Sequence, residues 1–440
     1  MVNKINVSLK SIDYKLLMTL LIMGFIPTIY TTLRIFFLGN MPNDWGFNIA
    51  SQLSWINLIY EILQESIMLP LFYIMGKSLL NKKELANEIK SGLIVIFIVY
   101  SFIAIVLMIF TEPLLTFMSQ KNELIPATVT YIRLETLASI FATIVQFLTL
   151  TLITIKKETY LFAILGLQMC LTIILDTFLI STLSISMNIG VNGIAISNVL
   201  VNIALLIMAL AFLNREGYPV SFNEKPSFGW MKEWLKVGGF SGLESFVRNI
   251  AFMLMVVRMV NVVEEQGTFW VANNFIWGWL LLPVIQLGQL IKRDCGTSGK
   301  EAIQQRTIGY FSITAIIVLI WIITIPFWEI FIKNVMNVEN YTAVYRVAII
   351  SVIFYIMFAF NNVIDSIFYG IGKTNYMLFQ SIVINTVFYG TLYILYTMGI
   401  YKPTLDLIAL MFALGIAFDS ILTYGMFVWM LKRQNIPIVG

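Results

Sequence analysis

The sequence predicts an all-α integral membrane protein with twelve transmembrane helices in two pseudo-symmetric six-helix lobes. Three observations carry this. Of 440 residues, 59% are hydrophobic and 12% charged, where a soluble domain runs near 25% charged, so the chain cannot cover a water-facing surface. Mean hydropathy is +0.86, and apolar stretches of more than about 20 residues recur from end to end, which is the helical-span signal and not the short alternating strands of a barrel. The two halves also share local marks at nearly one spacing.

Apolar windows place spans 1 to 12 at 14–38, 48–76, 89–111, 126–154, 158–183, 188–213, 232–260, 269–291, 306–332, 341–370, 374–399 and 404–431. The first has no small-residue cleavage site after it and is expected to be retained rather than removed as a signal peptide. Connections are short except 214–231, NREGYPVSFNEKPSFGWM, which is polar and contains proline. It divides the chain into an N-terminal lobe, 1–217, and a C-terminal lobe, 218–440.

Charge sets the orientation. Twenty of the 28 lysines and arginines fall on one side, in the termini and the loops around 77–90, 156–157, 215–236, 292–306 and 373, against Lys121, Lys333 and Lys402 on the other. The remaining five, Arg34, Arg133, Arg248, Arg258 and Arg346, lie inside spans. This is a positive-inside asymmetry, and it predicts that both termini are cytoplasmic. There is no histidine, so histidine proton relays and histidine metal sites are excluded. Cys170 lies in a span and Cys295 in a basic loop, and no disulfide is expected.

The repeat rests on four marks. KKETYLF at 156–162 resembles GKTNYML at 372–378, YIR at 131–133 resembles VYR at 344–346, Gln146 falls on Asn362, and Arg34 falls on Arg258. All lie on helices of equal rank in the two halves. Six is even, so both lobes keep one orientation, and parallel repeats of this kind are a transporter architecture with the substrate site near mid-membrane.

Charged groups at bilayer depth are expensive and mark pairs or sites. Glu61 and Glu65, in IYEILQESIML, are one turn apart on one face of span 2, with Gln64 beside them. They are either ion or proton sites or partners of Arg34 or Arg133. Glu244 and Arg248 are four apart on span 7 and are placed to pair with each other. Asp365, one turn from Asn361, is near the inner end of span 10, and Asp419 is near the middle of span 12. Arg133 and Arg346, at outer helix ends, read as anchors. Trp270, Trp277, Trp279 and Phe275 crowd span 8, and Trp55 and Tyr60 stand on span 2. They are an interfacial belt, or a cavity wall that stacks on flat organic cations.

Several segments resemble the multidrug and toxic compound extrusion (MATE) transporters of the multidrug/oligosaccharidyl-lipid/polysaccharide flippase superfamily. LDTFLISTLSISMNIGVNGIAISNVL at 175–200 is similar to the turn between that family's fifth and sixth helices. YIRLETL, LKVGGFSGLES, IQLGQLIKRDCG and FYGIGKTNY resemble the fourth-helix start, the seventh-helix entry, the eighth helix and the tenth-to-eleventh loop. The resemblance covers the whole chain. It implies that Asp176 is the family's fifth-helix acid and that Asp365 stands on the tenth helix where an acid often occurs. It carries over to Glu244 weakly, because the family's acid lies a turn or more deeper.

Two departures stand out. Five residues before Gly39, where the family carries a first-helix acid, the sequence has Arg34. After LGQ the run reads Lys292, Arg293, Asp294 instead of continuing apolar. Arg34 and Asp176 differ in depth by only about 5 Å, so Arg34 is expected within salt-bridge reach of a carboxylate, Asp176 first and Glu61 or Glu65 next, as a lock or around a working acid, or else to snorkel to the outer headgroups.

The resemblance implies a secondary active exporter of small organic or amphiphilic compounds, a drug or toxin efflux antiporter working by alternating access in the cytoplasmic membrane. Na+ or H+ would be the coupling ion, with no other cofactor and no metal site. Glu61, Glu65, Asp176, Glu244 and Asp365 are its coupling candidates. Arg34, Gln64, Trp55, Tyr60, Arg258 and Trp277 are its cavity candidates. A flippase-like exporter of an anionic metabolite, lipid-linked or peptide substrate is the first alternative, and a degenerate, non-transporting membrane protein the second. No catalytic constellation and no phosphate-binding glycine loop occur, so neither an enzyme nor an ATP-driven pump is expected. The expected partners are a small-molecule substrate and the lipid bilayer, with no nucleic acid, and the chain is expected to be a monomer.

Overall fold

The computed structural model describes residues 2–41, 45–157, 159–220 and 225–437. Among these there is no strand. Eleven helices are long and apolar enough to cross a membrane, and a bent pair, Gln266–Leu280 with Leu282–Ser298, completes the twelve. The protein is a multi-pass membrane protein. Spans 1 and 10, Tyr14–Leu38 and Tyr341–Gly370, begin and end where the hydropathy places them.

Span 3, Lys82–Phe117, shows why a membrane helix hides its inner face from a composition reading. Ile89, Leu93, Ile96, Tyr100, Ala104, Leu107, Thr111 and Leu115 are buried at helical spacing, while Phe97, Phe102, Ile105 and Ile109 are more than half exposed. Both faces are apolar because one meets protein and the other meets lipid.

Four features lie outside the sequence reading. A short helix, Val2–Lys10, precedes span 1 and packs on span 9, Lys300–Asn334. Its Ser8 is fully buried and accepts the Gly309 N–H at 2.8 Å, and a Cβ at Gly309 would lie 2.9 Å from that hydroxyl. Span 8 bends by 53° between Leu280 and Leu282, where Pro283 opens the second piece and removes a ladder donor. Single π-helical turns interrupt span 2 at Gln64–Met68, span 7 at Met253–Val257, span 8 at Ile276–Leu280 and span 11 at Ile384–Tyr389. Such turns are frequent at functional sites.

The chain also divides into two compact units, residues 37–267 and residues 1–36 with 268–440. The first holds spans 2–7 and the second spans 1 and 8–12. This is a division by packing, whereas the boundary at 217/218 is one by rank in the repeat. The two differ by an exchange of the first helix of each half, and the contacts give the reason. Within its unit, span 7 packs on the π turn of span 2. Within the other, span 1 meets the π turn of span 8, where the Thr28 hydroxyl donates to the Gly278 carbonyl at 3.1 Å and the Trp279 indole donates to Thr32 at 3.0 Å. The equivalent helices thus make equivalent contacts.

Each unit has its own apolar core. One gathers Met68, Leu71, Met75, Ile96, Phe147, Leu148 and Leu205, the other Leu290, Ile303, Tyr310, Ile367, Phe368, Phe427 and Met430.

Candidate functional site

In the unit of spans 2–7, the charged site is made by a close helix crossing. Span 7 enters through Gly238 and Gly242. A Cβ at Gly238 would stand 2.1 Å from the Ser66 carbonyl oxygen, and one at Gly242 would stand 2.5 Å from the Ser66 Cβ. Small residues four apart let helix backbones approach in a membrane. The Ser241 hydroxyl donates to the Glu65 carbonyl at 2.7 Å, inside the π turn.

The crossing sets Arg248 against three carboxylates. Its guanidinium reaches Glu61 and Glu65 at 2.8 Å each and Glu244 at 3.1 Å. Arg248 is therefore the partner of all three acids, so the pairings of Glu61 and Glu65 and of Glu244 that the sequence treats separately form one cluster. Three carboxylates against one guanidinium leave a formal charge of about −2 when all are ionised.

The other unit holds a carboxylate pair of different character. Asn361 donates to Asp365 at 3.0 Å and to Asp419 at 2.9 Å, and Gln380 donates to Asp419. These residues come from spans 10, 11 and 12. Two buried amide oxygens beside them, Asn361 Oδ1 and Gln380 Oε1, have no hydrogen-bond partner, and Thr423 places its hydroxyl toward Asp365. Asn361 and Thr423 are fully buried and Gln380 is 3% exposed. Orphaned buried acceptors are rare and each needs a cause. Among the described residues no three acidic, cysteine or histidine side chains gather to hold a metal ion. The arrangement is thus two carboxylates plus neutral oxygens, a donor set for a hard cation of low charge.

The Lys292–Arg293–Asp294 run is an anchor at the end of span 8. Arg293 pairs with Asp13 at 2.9 Å. Asp294 accepts from Arg306 at 2.8 Å and from the Tyr310 hydroxyl at 2.7 Å. Lys292 places its ammonium 5.0 Å from the centre of the Tyr369 ring.

The remaining expected residues divide by surroundings. Trp55 is buried, and its indole donates to Gln52, which bonds Asn261 at 2.7 Å. It belongs to the core rather than to a cavity wall. Tyr60 is partly buried and stacks on Tyr100, with centroids 6.0 Å apart. Gln64 opens the π turn and is partly buried. Arg258 donates to the Phe117 carbonyl at 2.8 Å and lies over the Phe117 ring, an anchoring contact. Arg133 donates to the Met108 carbonyl, and Arg346 pairs with Asp406. Trp277 lies on the π turn of span 8 beside Tyr355 and Phe358. Asp176 is buried on span 5 and Arg34 half-buried on span 1, in different units.

An apolar cavity of about 530 Å³ lies among spans 1, 8 and 9, with Phe25, Phe275, Trp279, Trp321, Trp328 and Phe331 in its wall. That volume is in the range of small-molecule pockets.

No family model matches the chain, and no curated protein does. Solved structures do. An inward-facing multidrug resistance MATE family transporter of the MOP superfamily superimposes with a TM-score of 0.75, at 18% identity over 92% of this chain and 94% of that one. The chain has the MATE transporter fold. The Vibrio cholerae MATE transporter VcmN, in an aspartate-to-asparagine variant, gives 0.69 at 14% identity over 96% and 97% of the two chains. A Pyrococcus furiosus transporter of the MOP superfamily, described as having a binding pocket of reverse polarity that suggests a different function, gives 0.64 at 19% identity over 95% of each.

On this MATE fold, the expected acid Asp365 gains a partner that the sequence left aside. The sequence places Asp419 near the middle of span 12 and gives it no role, and Gln380 and Thr423 belong to no motif. Their signal was weak: polar residues within apolar helices, with Asp419 and Thr423 one turn apart.

Proposed function

We propose that this protein is a MATE-type exporter of small organic or amphiphilic compounds in the cytoplasmic membrane, with both termini inside, driven by Na+ bound at Asp365 and Asp419. The orphaned oxygens carry this reading. A proton carrier needs a carboxylate alone, since an amide oxygen does not take up a proton in this range, whereas a dehydrated Na+ uses carboxylate, amide and hydroxyl oxygens together. Asn361, Gln380 and Thr423 supply such oxygens beside the two acids. Glu61, Glu65 and Glu244 already have a cation in Arg248. In this reading they hold spans 2 and 7 together, and Asp176 keeps a secondary coupling role. The aromatic cavity supplies a stacking wall for flat organic substrates.

Ions bound on the outer side would release substrate there, and their loss to the cytoplasm would return the carrier. The test is dye efflux from proteoliposomes carrying a planar aromatic cation, under an inward Na+ gradient and separately under an inward H+ gradient. Na+-driven efflux that disappears in Asp365→Asn is the expected result. Efflux driven by H+ alone would overturn the choice of ion.

Arg34 favours a second reading, since it stands where the resemblance places an acid. A flippase-like exporter of an anionic amphiphile would then be the function. The same vesicles loaded with an anionic fluorescent amphiphile would export it and leave the cationic dye in place.

A further inference from the structure

The eighth helix brings a lysine to the edge of the carboxylate pair. Spans 8 and 10 run in contact along Gly288 and Gly370. A Cβ at Gly288 would stand 2.7 Å from Asn362 and Ser366 side-chain atoms, and one at Gly370 would stand 2.8 Å from the Lys292 carbonyl oxygen. The two neighbours of Lys292 are committed elsewhere, Arg293 to Asp13 and Asp294 to Arg306 and Tyr310. The Lys292 ammonium lies over the ring of Tyr369. Tyr369 is one turn on from Asp365, so the two side chains share a face. Asp365 accepts from Asn361 at 3.0 Å, a neutral donor that leaves the carboxylate charge to be balanced from elsewhere. A ring face is a weak resting place for an ammonium, so the lysine is held beside span 10 without being fixed to a carboxylate.

We propose that Lys292 is a tethered counter-ion of the Asp365–Asp419 pair, competing with Na+ for these carboxylates and so setting the affinity of the site. This inference rests on the coupling-site reading above. When the site is empty, the ammonium balances part of the carboxylate charge. When Na+ enters, the ammonium rests on Tyr369. Lys292 is thus a specificity-determining residue that acts through Asp365 and touches no substrate.

The test is equilibrium binding of radioactive sodium to the full chain in lipid nanodiscs. Wild type, Lys292→Met, Lys292→Gln, Lys292→Arg and Asp365→Asn are compared, with a melting curve for each to establish folding. The methionine and glutamine variants are expected to bind sodium roughly tenfold more tightly, the usual worth of one nearby charge. The arginine variant should stay near wild type, and Asp365→Asn should lose binding. Wild-type affinity in folded Lys292→Met or Lys292→Gln, with binding still lost in Asp365→Asn, would overturn the role of Lys292 and leave the ion site standing. Weaker binding in those variants would overturn it too, making Lys292 a support instead of a competitor. Undiminished binding in Asp365→Asn would refute the ion site itself.

Discussion

Two acidic clusters, one in each unit, are built in opposite ways. Around Arg248, three carboxylates share one guanidinium, each at 2.8–3.1 Å. Around Asn361, two carboxylates are held by neutral donors, and the amide oxygens of Asn361 and Gln380 have no donor. The first cluster holds its cation at salt-bridge distance, and the second has a lysine only at its edge, over the Tyr369 ring. A buried carboxylate that brings its own partner holds helices together, while one that leaves acceptors open is prepared for something that comes and goes. Residue type alone does not separate them.

The largest effect should come from the open cluster. Asp365→Asn and Asp419→Asn are expected to reduce Na+-driven efflux to background in proteoliposomes while leaving the melting temperature unchanged or raised, since each removes a buried charge that no cation meets at salt-bridge distance. Efflux at wild-type rate in both variants would erase the functional half of the comparison.

Next comes Arg248→Ala, which leaves three acids without a cation. It should destabilise the protein by about 3 kcal/mol, toward the low end for a buried pair because the side chain is one-third exposed. Adding Glu61→Gln and Glu65→Gln in the same background should recover much of the loss, read as melting temperature in detergent. If those two changes instead abolish efflux in the presence of Arg248, the closed cluster also couples ions.

A smaller effect tests the crossing that assembles the closed cluster. Gly242→Ala places a methyl group 2.5 Å from the Ser66 Cβ, and the strain of separating spans 2 and 7 should cost about 1–3 kcal/mol. Gly239→Ala, which meets nothing within 4 Å, serves as the neutral control by the same melting measurement.

The smallest effect is expected at the surface, where neither cluster logic applies. Lys157 at 2.9 Å, and after it Tyr160 at 2.8 Å, hold the Glu216 carboxyl below its ordinary range. Its contribution is present above the unfolded-state carboxylate pKa and is lost as pH falls through the lower folded value. Glu216→Gln should therefore shift the melting temperature slightly at neutral pH, and the difference should vanish in acid. A pH-independent difference would point to packing instead of charge.

Much of this is legible in the sequence. Glu61, Glu65, Glu244 and Arg248 all stand out as costly charges, and Asp365 lies one turn from Asn361. Their grouping was not legible, because hydropathy tells how deep a residue lies but not which helix it meets. Asp419 looked isolated for that reason: its partners, Asn361 and Gln380, are 58 and 39 residues away along the chain. Trp55 shows the converse. Its position beside Tyr60 fits a cavity wall, but its indole is spent on Gln52 in the core.

The sequence by itself determined that this chain is a twelve-span membrane protein with a repeated half, because span length and apolarity are local properties set by bilayer thickness. It also determined which charges would be costly. Tertiary structure alone decided that the first helix of each half packs with the other half's remaining helices, that span 8 breaks before Pro283, and that one acidic cluster is closed and the other open. Those outcomes depend on close approaches at Gly238, Gly242, Gly288 and Gly370 and on where π turns aim side chains. They are relations between distant residues, and in a lipid-facing helix, apolar on every side, nothing local encodes them.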